Sequence, residues 1–190
     1  AIGAASYGAY SQSGGDTTIG GFIALGGTAG GGVFNQSGGT VKMTNAPATL
    51  GYSATTSKAV MNLSGNAVFT MTGTGNGLWP GEVGTGVLNL SGNASLTITN
   101  DGIILGKGNA ASSGTANLLG GVATVNSVSK GTGSGVLNFN GGTLQANAST
   151  ATFMGGLNGA YIYSGGAMID DGGFAITIPQ PLLAPAGSGV

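Results

Sequence analysis

The sequence predicts an all-β chain: a right-handed parallel β-helix, or β-solenoid, of about seven coils with roughly three short strands per coil. Three observations predict it. A phrase of strand, glycine turn and strand is written seven times along the chain. One column of that phrase is asparagine in five consecutive copies, and glycine clusters where such a repeat needs corners. Periodic self-similarity of this length is the mark of a stacked repeat architecture, so residues 1–190 are read as a single solenoid domain.

The clearest copy is Gly86–Asn100, GVLNLSGNASLTITN. Val87–Leu90 reads as a strand, Ser91-Gly92-Asn93 as a tight turn and Ala94–Thr99 as a second strand, with apolar and β-branched residues supplying the alternation. Turn glycines mark the copies at Gly14, Gly38, Gly65, Gly92, Gly120, Gly141 and Gly165, with steps of 24, 27, 27, 28, 21 and 24 residues. Three residues before each marker stand Ser11, Asn35, Asn62, Asn89, Asn117, Asn138 and Ile162. A column of Asn is favourable when identical positions stack about 4.8 Å apart, because each amide bonds to the one above and below. An antiparallel meander would not align it. Right-handed winding is the default for parallel crossovers.

A second landmark follows most markers: Leu25-Gly26, Leu50-Gly51, Val83-Gly84, Leu105-Gly106 and Met154-Gly155. It reads as a third strand ending in a glycine bend, with the fifth copy too short to show it. Seven coils of about 4.8 Å give a rod on the order of 35 Å long.

Along the chain, residues 1–9 read as the tail of an earlier coil. Pro47 falls in a turn between strands. The longest excursion, Gly73–Gly84, is read as a loop projecting Trp79, the only Trp. The seventh copy is richer in aromatic residues, and Ser188-Gly189-Val190 repeats the opening at Ser134-Gly135-Val136, as though an eighth coil would start there. The expectation is therefore a subunit, or a window in a longer chain, with no capping helix at either end.

Composition narrows the function classes. Gly is 42 of 190, about three times ordinary usage and without a period of three, which excludes collagen. The 41% hydrophobic content excludes a disordered linker. Nine residues are charged: Asp16, Lys42, Lys58, Glu82, Asp101, Lys107, Lys130, Asp170 and Asp171; Arg, His and Cys do not occur. A net charge of −1 with so little Lys makes nucleic acid and anionic membrane surfaces poor partners. No apolar run is long enough for a membrane span. A weakly charged surface rich in Ser, Thr, Asn and Gly suits packing against copies of the same chain.

Candidate chemistry is sparse. Asp170-Asp171 is the only carboxylate pair, and neighbours on a strand point to opposite faces, so they do not flank a glycosidic bond together. The plain reading is a solvated turn before Gly172-Gly173. With no His and no Arg, the expectation is no enzyme: no catalytic, cofactor-binding or metal-binding residues and no cofactor. Calcium repeats need Asp at nine-residue spacing, which is missing. Thr70-x-Thr72 and Thr97-x-Thr99 form two rungs of an outward Thr ladder of the kind that templates ice, but ordinary β-propensity explains two rungs. Five sequons (Asn35, Asn62, Asn89, Asn93, Asn147) are largely by-products of the Asn column beside its turn serine. Tyr7, Tyr10, Trp79, Tyr161 and Tyr163 are the aromatic candidates for a carbohydrate platform or for assembly ends. Tyr10 and Tyr161 are placed in the same repeat column as Phe34 and Leu88, which favours core packing or capping.

VLNFNGGTLQA and VLNLSGNASLTI closely resemble the autotransporter-associated β-strand repeat of large bacterial surface and secreted passenger proteins. SGGAMIDDGGFAITIPQPL is similar to a segment that follows such repeats in very long surface proteins. The resemblance covers most of residues 30–183. It implies a parallel β-helix at an extracellular or bacterial cell-surface location and carries no catalytic residues; the translocating β-barrel of that family has no counterpart in these residues. The expected function is an extracellular structural subunit of a fibre, filament or sheath. Its partner would be itself, head-to-tail or laterally, with residues near Ala1–Tyr10 docking on Tyr161–Ile178 of the next copy. The alternative is an adhesin module presenting the Gly73–Gly84 loop to cell-surface glycan.

Overall fold

The computed structural model describes residues 2–3, 5–28, 30–75 and 77–185, and among them there is no helix. The chain winds as a parallel β-solenoid of about seven turns. Coil one holds β1 (Tyr7–Gln12), β2 (Asp16–Ile19) and β3 (Ile23–Leu25). Coil two holds β4 (Gly31–Gln36), β5 (Thr40–Met43) and β6 (Ala48–Leu50). Coil three holds β7 (Lys58–Leu63), β8 (Val68–Met71) and β9 (Leu78–Pro80). Coil four follows with β10 (Thr85–Leu90), β11 (Ser95–Ile98) and β12 (Ile103–Leu105). Coil five has β13 (Ser113–Leu118), β14 (Val122–Val125) and β15 (Val128–Lys130). Coil six has β16 (Ser134–Phe139) and β17 (Thr143–Ala146), and coil seven β18 (Gly159–Ile162) and β19 (Met168–Asp170). β20 (Leu182–Leu183) lies beyond them.

These strands form three parallel sheets of eight, seven and five strands. The first runs β1-β4-β7-β10-β13-β16-β18-β20, the second β2 to β19 and the third β3 to β15. Three strands per coil hold through coil five; in coil six the third sheet continues only as a bridge from Val128 to Met154. The fifth copy, too short to reveal a third strand in its sequence, has one at Val128–Lys130.

Alternation places the core. Along β10, Gly86, Leu88 and Leu90 are buried while Val87 and Asn89 are half-buried on the outer face. Stacked inward positions form columns: Tyr10, Phe34, Met61, Leu88, Ala116, Leu137 and Ala160 in one, Val41, Phe69, Leu96, Ala123 and Leu144 in another. Tyr10 stacks on Phe34 with ring centroids 4.7 Å apart, and Phe34 meets Phe69 edge-on at 5.7 Å.

Two sequence expectations are corrected by the register. The third strand of coil three is Leu78–Pro80, not a strand ending at Val83-Gly84. The chain turns directly after it at Gly81, whose φ of 73° is left-handed, as it does after β3, β6 and β12 at Gly26, Gly51 and Gly106. Trp79 therefore lies on a strand instead of projecting from a loop; the excursion is confined to the turns before β9 and after it. In the last copy, Tyr161 pairs with Asn138, and Ile162 with Phe139. The turn from β18 to β19 is longer than that from β16 to β17, so counting back from Gly165 slips by one residue. Tyr161 accordingly leaves the core column of Phe34 and Leu88, and Ala160 fills it.

Phe69 is fully buried and is the ring on which two core columns meet. Phe69→Ala is expected to lower unfolding free energy by about 3–5 kcal/mol, read as a fall in the urea midpoint.

Candidate functional site

The five asparagines stand in one line on the outer face of the first sheet. Asn35, Asn62, Asn89, Asn117 and Asn138 are in register through β4, β7, β10, β13 and β16. Each Nδ2 donates to the Oδ1 of the coil before: Asn62 to Asn35 at 2.8 Å, Asn89 to Asn62 at 2.8 Å, Asn117 to Asn89 at 2.7 Å, Asn138 to Asn117 at 2.7 Å. The chain of amides thus runs in one sense. It stops at Asn138, whose buried Oδ1 has no partner among the described residues, because Tyr161 carries no amide to donate. A shorter ladder runs beside it, Asn93 Nδ2 donating to Asn66 Oδ1 at 3.3 Å.

Two glutamines that the sequence reading passed over use the same chemistry inside the coil. Gln12 and Gln36 occupy the column that Leu63, Leu90, Leu118 and Phe139 fill further on. Gln36 is buried, and its Nε2 donates to Gly39 O at 2.9 Å and Val68 O at 3.1 Å. Gln12 does the same with Gly15 O and Thr40 O, while Tyr10 Oη donates to its Oε1 at 2.7 Å. The signal was available: both copies read QSGG where copies three and four read LSGN.

The aromatic candidates are scattered. Trp79 is half-buried on β9 in register with Thr49. Lys107 Nζ sits 2.7 Å from the ring centroid, a cation–π contact that covers one face of the indole. Burial pushes the Lys107 ammonium below its usual range, with Glu82 and Asp101 opposing the shift. Burial likewise pushes the Glu82 carboxyl up, against a Thr49 hydrogen bond and Lys107. Trp79 Nε1 and Glu82 Oε2 are both buried without partners among the described residues. Tyr7 is 70% exposed beside Gly31, at the far end of the sheet from Tyr161 and Tyr163. Tyr163 borders a cleft of 280 Å³ with Asn117, Leu119, Asn138 and Asn140.

The acidic pair sits in successive turns: Asp170 Oδ1 accepts from Gly172 N and Oδ2 from Gln145 Nε2, while Asp171 Oδ1 accepts from Gly173 N. Those bonds hold the Asp170 carboxyl below the usual carboxylate range. The outward Thr column has a third rung, Thr70, Thr97 and Thr124, flanked by Lys42 and Gln145. No family model, curated protein or solved structure matches this chain. The likeness to the autotransporter-associated repeat stands on the repeat residues alone.

Two predictions follow from these environments. Asn89→Ala removes two ladder bonds from a half-buried position and is expected to cost about 1–3 kcal/mol; Asn35→Ala, exposed and making one, should cost less. Chemical denaturation of the two variants checks the order. For Glu82, the raised native pKa means its contribution to stability is full below the unfolded value near 4.5 and is lost as pH rises through the native one. Glu82→Gln is therefore expected to melt above the parent at pH 7, with the gap closing below pH 4.5.

Proposed function

We propose that this chain is an extracellular structural protein, a stiff β-solenoid subunit of a bacterial surface fibre, filament or sheath that associates with itself through its open coil ends. The observation that carries the reading is the state of those ends. At one, β1 and β2 are the edge strands of their sheets among the described residues, and Tyr7 and Phe22 are 70% and 51% exposed. At the other, β19 and β20 are the edges, with Met168 62%, Phe174 40%, Leu182 41% and Leu183 42% exposed. Apolar side chains beside an unpaired edge are what further strand pairing needs. Residues up to Tyr10 of one copy would dock on Tyr161–Ile178 of the next; Ala1 and Ser188-Gly189-Val190 lie outside the described residues. Contact between unlike ends is heterologous and grows into a filament unless it closes.

The surface location rests on the resemblance of VLNLSGNASLTI and VLNFNGGTLQA to the autotransporter-associated repeat. The reading assigns the chain no catalytic step and no cofactor. The adhesin alternative has less to support it, since a sugar ring stacking on the Lys107 face of Trp79 would first have to displace that side chain.

Electron microscopy of purified chain, with intact mass, tests the reading. Filaments of solenoids stacked end to end, lost in Leu182→Asp/Leu183→Asp, are expected. A sample that stays monomeric at high concentration would sink it.

A further inference from the structure

We infer that the outer face of the eight-stranded sheet is a lateral contact surface for a second copy of this chain, the two rods pairing side by side about a two-fold axis parallel to their length. The proposal shares with the proposed function the premise of self-association but uses a different surface.

The face is built in three outward columns. The middle one is apolar except at Thr115: Ala9, Val33, Val60, Val87, Thr115 and Val136. The Asn ladder flanks it on one side. On the other run Tyr7, Gly31, Lys58, Thr85, Ser113 and Ser134. Where Gly31 lacks a side chain the valines are open, as the floor of a 430 Å³ groove edged by Tyr7, Lys58 and Thr85. At the opposite end of the stripe, the Tyr161 ring lies against Gly159, in the place of the next outward side chain.

Charge singles this face out. Asp16, Lys42 and Asp170 lie on the second sheet with Asp171 beside it, and Glu82, Asp101, Lys107 and Lys130 lie on or beside the third. Lys58 is the one charged residue on the strands of the first sheet. A nearly uncharged face with an apolar centre loses little on desolvation.

The columns also fit themselves. A two-fold axis along the stripe sets valine on valine, and turns the Asn ladder of one copy toward the Ser/Thr column of the other. Asn89 then faces Thr85, Asn117 faces Ser113 and Asn138 faces Ser134, while the two Lys58 side chains fall on opposite sides of the stripe. Asn62, Asn89 and Asn117 each spend one N–H and one lone pair along the column, which leaves the second of each for a hydroxyl across the interface. Six strands of six residues make a face of roughly 600 Å², so a pair buries about 1,200 Å² in total, at the lower bound for specific interfaces. The dimer should therefore dissociate on dilution.

Sedimentation velocity across a concentration series, on the Leu182→Asp/Leu183→Asp background to remove filament growth, tests the pairing. A reversible dimer is expected. Val60→Lys/Val87→Lys, which sets like charges opposite each other across the axis, should raise the dissociation constant at least tenfold with an unchanged melting temperature; Thr97→Lys on the second sheet should not. The chain has no native cysteine, so Val87→Cys should give a disulfide-linked dimer on oxidation and Thr97→Cys should not. A monomer at every concentration, or dimers indifferent to the Val60/Val87 charges, overturns the proposal. Dimers without filaments from the parent chain would refute the end-to-end reading and leave this one standing.

Discussion

In-register parallel stacking is the constraint on which everything else in this molecule depends. Every strand position sits beside the same position of the coil before and after, about 4.8 Å away. A residue must therefore tolerate near-copies of itself as neighbours. Aliphatic side chains do, since stacked methyl groups exclude water from each other. Amides do, through the Asn ladder. Like charges do not, and the strands respect that: Lys42 lies between Thr18 and Thr70, Lys58 between Gly31 and Thr85, and Asp170 beside Gln145. The nine charges of the sequence are few for the same reason that its asparagines are many.

The amides at the two positions solve different problems. Outside, Asn is short enough that its carbonyl and amino groups reach only the neighbouring rung, so the column satisfies itself. Inside, the longer Gln12 and Gln36 reach past their own rung to backbone carbonyls at the coil corner. In this column they occur only in the first two coils. From coil three onward Leu, Phe and finally Ile162 take the column, and Leu63, Leu90, Leu118 and Phe139 are fully buried there.

Much of this was legible because the repeat carries its own alignment. The Asn column, read at fixed distance from a turn glycine, predicted parallel stacking and the register of five coils without any other coil-to-coil information. It failed where the ruler changed length. In the last copy the turn after β18 is longer, so Tyr161, not Ile162, meets Asn138. In coil three, two glycines compete to end the third strand, and the backbone conformation at Gly81 decides between them. The Lys107–Trp79 contact was out of reach altogether, since it joins residues of different coils through side-chain directions that no spacing rule contains.

The stack also has a direction, and its corners fix which coil can continue it. Leaving the first sheet, the later coil donates to the earlier: Ser37 N to Gln12 O, Ser64 N to Gln36 O, Ser91 N to Leu63 O. Entering the third sheet, the sense reverses: Ile23 N to Pro47 O, Ala48 N to Gly77 O, Leu78 N to Gly102 O. An end of the rod is thus not a uniform row of donors or acceptors but a pattern with one sense at one corner and the opposite sense at another. A flat strand from an unrelated protein can match one edge of that pattern. Only a coil of the same construction, in the same orientation, matches all the corners at once. That demand comes from winding three sheets with one chain, and backbone groups alone set it.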